Sequence, residues 1–100
     1  MKHPPKLEDL LGSVRNCLDQ GRYLDTRHAS LRQIQRGISR IEILHVLRNG
    51  FHEQKKDQLD TAFKCWNYAI RGKTIDKRAL RIIVSFDANN MLIITAIELT

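Results

Sequence analysis

The spacing of apolar residues predicts that the chain begins with a helix. The first apolar series consists of Leu7, Leu10, Leu11, Val14 and Leu18. Intervals of three and four residues place such a series on one face of a helix. Pro4-Pro5 can occupy the first turn of this helix, and Gly21 suits the position just past its end.

Two further helices are predicted from capping residues and from the apolar pattern. Gly37 can end one helix, on which Leu31 and Ile34 are expected to contact the core. Ser39 and Glu42 have the S-x-x-E spacing of a capping box, which marks the start of the next helix. The three predicted helices span residues 6–20, 26–36 and 40–48.

In the second half of the chain the pattern changes to an alternation with a period of two, which predicts β-strands. Trp66, Tyr68 and Ile70 fall on one face of the first of these strands. The predicted strands span residues 62–71, 79–86 and 91–99, with 51–53 as a further edge strand. The last strand is apolar on both faces, which favours a central position in the sheet. The polar run 55–60 is expected to be an exposed loop.

Together these elements predict an α+β fold, with N-terminal helices packed on a three- to four-stranded antiparallel sheet. Short turns between the predicted strands favour an antiparallel meander. A chain of 100 residues suits a single domain over residues 1–100.

The charge balance adds a first indication of function. The chain has 17 Lys and Arg against 11 Asp and Glu, a net charge of +6. In a small protein this excess favours a polyanionic partner such as RNA, DNA or an acidic protein. The hydrophobic share of 42% is ordinary for a folded protein and argues against disorder.

The sequence contains no signal for export or for membrane insertion. No run approaches the roughly 20 apolar residues of a membrane-spanning helix, and no signal-peptide pattern follows Met1. Cys17 and Cys65 form no C-x-x-C pair, which favours free thiols in a reducing compartment. The histidines lack the spacing of zinc ligands. We therefore expect a cytoplasmic protein without a membrane contact, a metal or a cofactor.

Candidate chemistry is concentrated on the second predicted helix. His28, Arg32 and Arg36 are spaced four residues apart and therefore form one polar stripe. Guanidinium groups bind phosphate oxygens through several N–H donors, and an imidazole can exchange a proton near neutral pH. The stripe therefore predicts a phosphate-binding face. The alternative interpretation is a solvated helix face whose arginines pair with acidic groups elsewhere.

The predicted sheet supplies two more candidates, Arg71 and Arg81, on the strand face opposite the larger apolar set. On an open face they would form a polar patch that can hold phosphate. In the alternative interpretation they line a partly buried face and pair with Asp or Glu. The sequence does not decide between the two.

Motifs for known nucleophiles and phosphate loops are absent from the sequence, including G-x-S-x-G, H-E-x-x-H and glycine-rich loops. An enzyme built from His28 and these arginines would act on a phosphodiester without a metal. RNA suits such a mechanism because its own 2′-hydroxyl is the attacking group. The protein would supply only a base, an acid and cationic stabilisation of the developing charge.

The chain resembles a bacterial domain family of unknown function with the signature H-A-x-x-R-x-x-x-R-G-I. The signature corresponds to His28-Ala29, Arg32 and Arg36-Gly37-Ile38. Later positions of the same pattern are Gly50, Trp66, Tyr68, Ile70, Gly72 and Ile94-Thr95-Ala96. The resemblance extends from about residue 23 to residue 97 and leaves out the first helix.

That family looks related to RelE-like toxins, which place N-terminal helices on an antiparallel sheet. The resemblance implies a metal-independent endoribonuclease of a toxin–antitoxin pair, neutralised by a cognate acidic antitoxin. It assigns His28 and Arg71 as catalytic candidates and Arg32 and Arg36 as phosphate-binding residues, to which the charge pattern adds Arg81. The alternative is a non-catalytic module that binds RNA or protein.

Overall fold

The computed structural model describes residues 4–99, except for the side chains of His28, Ala29 and Arg32. Within this range the chain forms three α-helices, one short 3₁₀ helix and six β-strands. The helices are α1 (Leu10–Asp19), α2 (Arg27–Arg36), α3 (Arg40–Asn49) and the 3₁₀ helix Gln54–Lys56. The strands are β1 (Tyr23–Asp25), β2 (Phe51–His52), β3 (Gln58–Asp60), β4 (Cys65–Lys73), β5 (Ala79–Phe86) and β6 (Met91–Leu99).

The fold is α+β, as predicted, but its sheet is larger than expected and mixed. The strand order is β1-β6-β5-β4-β2, and β3 pairs with another part of β4. β1 runs parallel to β6, whereas all other described pairs are antiparallel. The prediction of three or four antiparallel strands was therefore wrong. The predicted edge strand 51–53 is present as β2, whereas β1 and β3 were not predicted. β1 and β3 have only three residues each, too few to show the alternation that identifies a strand in sequence.

The core lies between the sheet and the helices α1 and α3. α3 contacts α1 on one side and β4 and β5 on the other. Fully buried side chains from both layers meet there: Val14, Ile43, Val46, Leu47, Ile70, Leu80, Ile82, Val84 and Ile93. The alternation within β4 and β5 consequently turns Arg71, Arg81 and Ile83 to the opposite face of the sheet.

α1 begins at Leu10, four residues after the predicted start at residue 6. The Asp9 carboxylate caps this helix by accepting a hydrogen bond of 3.0 Å from the Gly12 amide. The preceding segment is anchored on β4 instead of joining the helix. The Trp66 indole donates to the Pro4 carbonyl at 2.7 Å, and the Leu7 amide donates to the Tyr68 hydroxyl at 3.0 Å.

The capping box at the start of α3 is confirmed. The Ser39 hydroxyl accepts from the Glu42 amide at 3.2 Å, and the Ser39 amide donates to the Glu42 carboxylate at 2.8 Å. The backbone hydrogen bond from Ser39 is the main reason why the pKa of Glu42 lies below its usual value. Arg78, directly before β5, donates a hydrogen bond to the same carboxylate at 2.6 Å. The cap therefore also links α3 to the sheet.

α2 lies beside the outer edge of β6 and not on the core face. It contacts β6 and β1, and Arg36 donates to the Ala96 carbonyl of that edge at 2.8 Å. Leu31 and Ile34 are 53% and 81% exposed, so the expectation that they contact the core was wrong. The reason is that α2 covers a strand edge, where backbone carbonyls need hydrogen-bond donors.

The three α-helices are short, with ten residues each. At a rise of 1.5 Å per residue, each measures about 15 Å. Among the described residues, none of the helices has the length and apolar character needed to cross a bilayer.

Two glycines bring the end of α3 into direct contact with β4. A Cβ atom at Gly50 would lie 2.6 Å from the backbone oxygens of both Arg71 and Val46. A Cβ atom at Gly72 would lie 3.0 Å from the Gly50 Cα atom. Only the absence of both side chains allows this approach, and β2 starts directly after it.

We expect Gly50→Ala to destabilise the protein by about 1–3 kcal/mol, because the added methyl group must displace backbone on two sides. The free energy of unfolding, measured by denaturant titration, checks this. Gln54→Ala is a suitable control, since Gln54 is exposed and its side chain makes no hydrogen bond within residues 4–99. A Gly50→Ala protein as stable as the control variant would contradict the close approach.

Candidate functional site

Arg71 and Arg81 are direct neighbours across the sheet. Arg71 on β4 pairs with Arg81 on β5, and Arg81 pairs in turn with Ile97 on β6. On the other side Arg71 pairs with Phe51 of β2. Directly paired residues share a face of the sheet, so the two guanidinium groups lie side by side. Two like charges in this position repel each other unless an anion lies between them.

Glu53 supplies that anion. Its carboxylate accepts hydrogen bonds from Arg81 Nε at 2.5 Å and from Arg81 Nη2 at 3.1 Å. Arg71 Nη1 donates to the same carboxylate at 3.3 Å. We call these three residues the Arg–Glu–Arg cluster. The hydrogen bonds from Arg81, followed by the one from Arg71, hold the pKa of Glu53 below its usual value of 4.5.

The cluster is held in place by an irregular segment that lies along β4. The Glu53 amide donates to the Ala69 carbonyl at 2.8 Å, as in a regular strand. The Ala69 amide, however, donates to the Asp57 side chain at 3.0 Å. The Asp57 carboxylate is fully buried and also accepts from His52 at 2.7 Å and from Lys6 at 3.0 Å. It substitutes for a backbone carbonyl and fixes the connection between β2 and β3.

The prediction that residues 55–60 form an exposed loop was wrong for this reason. The Asp57 side chain is buried, and Gln58–Asp60 forms β3, which pairs with β4. In sequence the run is polar and shows no apolar alternation. A buried carboxylate cannot be distinguished from a solvated one without knowing which donors surround it.

A groove lies on the sheet face that carries the Arg–Glu–Arg cluster. It consists of two adjoining hollows of about 410 and 420 Å³, which share the lining residues Asn67 and Ile94. The first, which we call the basic hollow, is lined by Lys56 and Arg81 over a floor that includes Ile83 and Thr95. No acidic residue lines the basic hollow in the described part of the chain. An anion can therefore enter it from solvent.

The stripe predicted on α2 is only partly described. His28 and Arg32 lie on α2, but their side chains are outside the described residues. Arg36 extends to the Ala96 carbonyl, next to Ile97, the β6 partner of Arg81. Among the described contacts none joins Arg36 to Arg71 or Arg81. The structure thus brings Arg71 and Arg81 together and places Arg36 one strand further along the sheet.

Sequence reasoning missed Glu53 as a member of the site. The alternation of the predicted edge strand puts it on the same face as Phe51, but nothing in the sequence shows that this strand pairs with β4 at Arg71. The pairing corresponds to the alternative interpretation of Arg71 and Arg81, in which they contact an acidic residue. The pairing with Glu53 uses only some of the N–H donors of the two guanidinium groups. Most of their N–H donors make no hydrogen bond within the described part of the chain.

The described residues offer no site for a bound metal. Among the side chains that the structure describes, no three from His, Cys, Asp or Glu are grouped so that they could hold an ion. Cys17 is buried and Cys65 is half-buried, and both are free thiols. Cys65 accepts a hydrogen bond of 3.6 Å from the Ser85 hydroxyl at the edge of the groove.

Fold and site together define an α+β protein with a partly basic groove on the sheet face away from its core helices. The model of one family, described as Domain of unknown function (DUF4258), matches residues 26–98. The chain belongs to this family, because the match covers well over half of its length. The match contains α2, the Arg–Glu–Arg cluster and the groove. Neither curated proteins nor solved structures gave a match.

We expect Glu53→Gln to lower the free energy of unfolding at neutral pH by about 1–3 kcal/mol, since two neighbouring cations lose their shared anion. The pH dependence should change as well. The pKa of Glu53 is lowered on folding, so its stabilising effect is present above the usual value of 4.5 and is lost as pH falls through the lowered pKa.

Denaturant titrations between about pH 3 and pH 7 can check both effects. The difference between wild type and Glu53→Gln should be largest at neutral pH and shrink in acid. Glu98→Gln is a matched control, because Glu98 is exposed and its ion pair with Arg78 is long, at 3.4 Å. A difference that is constant over this pH range would contradict the role given to the carboxylate.

Proposed function

We propose that the protein is a toxin-like, RNA-directed domain that binds the RNA backbone in the basic hollow. The observation that carries the proposal is the Arg–Glu–Arg cluster beside that hollow. Two arginines are held in fixed positions by one carboxylate, and they keep most of their donors. Rigid donors lose little conformational entropy when they bind phosphate.

The charge of the site supports a polyanion over a neutral ligand. Two arginines and one glutamate leave the cluster with a single net positive charge, and Lys56 adds another at the wall of the basic hollow. Arg36 brings a fourth cationic side chain to the neighbouring strand edge. A purely structural ion pair would need no open hollow beside it. Here the hollow is open to solvent and lined by Arg81 itself.

RNA is favoured over DNA because these side chains suit cleavage that uses the 2′-hydroxyl. In that reaction the 2′-oxygen attacks the adjacent phosphorus and the bond to the 5′-oxygen breaks. The products are a 2′,3′-cyclic phosphate and a free 5′-hydroxyl. One group accepts the proton of the 2′-hydroxyl, and another donates a proton to the departing 5′-oxygen.

In this proposal His28 carries one of the two protons, and Arg71 and Arg81 stabilise the extra negative charge on the phosphoryl oxygens. Glu53 is suited to orient the arginines, because its lowered pKa makes it a weak proton acceptor at neutral pH. Arg32 and Arg36 would extend the contact with the RNA backbone along α2. A toxin of this kind would be neutralised by an acidic partner protein, and the net charge of +6 suits such a partner.

We expect Arg81→Gln to weaken the binding of a short single-stranded RNA and to flatten its salt dependence. Each lost phosphate contact should change the slope of log K against log salt by about 0.7. Fluorescence anisotropy with a labelled RNA at several salt concentrations measures both effects.

Arg48→Gln is the matched control, because it removes the same charge from the helical side, where Arg48 pairs with Asp19 at 2.9 Å. Equal losses in the two variants would mean that the groove is not the binding site. No detectable RNA binding by the wild type would refute the proposal as a whole.

Cleavage is tested separately from binding. We expect expression of the wild type to halt growth and to cleave cellular RNA, with a loss of about 10²–10⁴ in cleavage rate for His28→Ala. RNA binding by His28→Ala should stay near the wild-type value. Intact RNA and normal growth with the wild type would leave the non-catalytic RNA-binding module as the function.

A further inference from the structure

The second hollow of the groove differs in chemistry from the first. We call it the apolar hollow. Its surface is mostly apolar, with Leu92 and Ile94 contributing from β6 and Phe63 from the turn before β4. Phe63 is 81% exposed. Because the apolar hollow shares Asn67 and Ile94 with the basic hollow, a ligand can extend from one into the other.

Acidic side chains line the apolar hollow, whereas basic side chains line the basic hollow. Asp60 and Asp87 both contribute to its lining. In each carboxylate, Oδ1 accepts hydrogen bonds of 2.6–3.2 Å from two backbone amides of the adjacent turn. The second oxygen of each makes no hydrogen bond among the described residues. The backbone hydrogen bond from Asn89 is the main cause that lowers the pKa of Asp87. A phosphate group is therefore disfavoured at this end.

The distance between the two ends fits a short piece of RNA. Arg81 lines the basic hollow and Ser85 lines the apolar hollow, and their Cα atoms lie four residues apart on β5, about 13 Å along the strand at 3.3 Å per residue. This is roughly the length of two nucleotides. A phosphate bound by Arg81 can thus place a neighbouring base at the apolar hollow. Exposed aromatic rings beside apolar surfaces are where single-stranded RNA stacks its bases.

We propose that the apolar hollow is a nucleobase site and that it favours guanine. Phe63 stacks on the base, and the free carboxylate oxygens accept hydrogen bonds from its edge. Carboxylates accept only, and guanine presents two adjacent donors, N1–H and the N2 amino group. Adenine and cytosine present one amino group next to an acceptor nitrogen, and uracil presents one N–H between two carbonyls. Each of these three bases would therefore place a hydrogen-bond acceptor opposite a carboxylate oxygen, which is unfavourable. The side-chain amide of Asn67, which has no hydrogen-bond partner among the described residues, can donate a hydrogen bond to the guanine carbonyl.

This inference deepens the proposed function, but it is tested without phosphate. Guanosine and uridine are titrated separately into the ¹⁵N-labelled full chain, and amide signals are followed by NMR. Guanosine should shift the signals of Cys65, Asn67 and Ile94 in a saturable manner, with at least about 5-fold higher affinity than uridine. Equal affinities, or no shifts in the groove, would overturn the guanine site.

Two variants make the assignment specific. Phe63→Ala should weaken guanosine binding by about 5-fold or more. Phe51→Ala is its matched control, since Phe51 is an exposed aromatic at the other end of the sheet and should leave the affinity unchanged. Asp60→Asn keeps the shape of the side chain and should narrow the preference for guanosine over uridine. Equal effects of Phe63→Ala and Phe51→Ala would refute the stacking role.

The outcomes separate this proposal from the previous one. Guanosine binding that persists in Arg81→Gln, without any salt-dependent RNA binding by the wild type, would support the base site and refute the RNA function. RNA binding that depends on Arg81 but shows no preference among nucleosides would support the RNA function and refute the base site.

Discussion

The close approach of Gly50 and Gly72 determines how the two halves of the protein meet. With no side chain on either residue, the end of α3 lies against the backbone of β4. The chain then continues as β2 without an intervening loop and pairs with β4 at Arg71. Two residues later this places Glu53 next to Arg71 and Arg81. The position of the carboxylate in the site is thus a consequence of a backbone contact elsewhere in the fold.

In the Arg–Glu–Arg cluster, Glu53 reduces the repulsion between the two guanidinium groups and still leaves a net positive charge that can bind an anion. Like charges directly opposite each other on neighbouring strands destabilise a sheet, and the Glu53 carboxylate between the two arginines reduces this effect. A second carboxylate would have neutralised the pair and left no reason for an anion to bind. With one, the site keeps a net positive charge and a defined geometry. The buried Asp57, held by His52, Lys6 and the Ala69 amide, keeps the segment that carries Glu53 in place.

The need to cover the outer edge of β6 explains why β1 pairs with it in parallel and why α2 lies away from the core. A long apolar strand at the edge of a sheet exposes unpaired backbone groups and invites aggregation. Here β1 covers the first part of that edge in a parallel pairing, and α2 covers the rest through Arg36. Because α2 serves the edge and not the core, Leu31 and Ile34 remain exposed. The long β6 is therefore flanked on both sides, in agreement with its apolar sequence.

Local signals in the amino-acid sequence were enough to predict several of the helices and strands. Capping chemistry predicted α3 at Ser39 and Glu42, and the alternation of apolar residues predicted β4 and β5. A run that is apolar on both faces predicted β6. The charge pattern also pointed to Arg71 and Arg81. The pairing of distant segments became visible only in the folded protein. β1 runs parallel to β6, Glu53 lies between the two arginines, and the apolar hollow adjoins the basic hollow. These features join residues far apart in the chain, and no local periodicity encodes which backbone donors meet which acceptors.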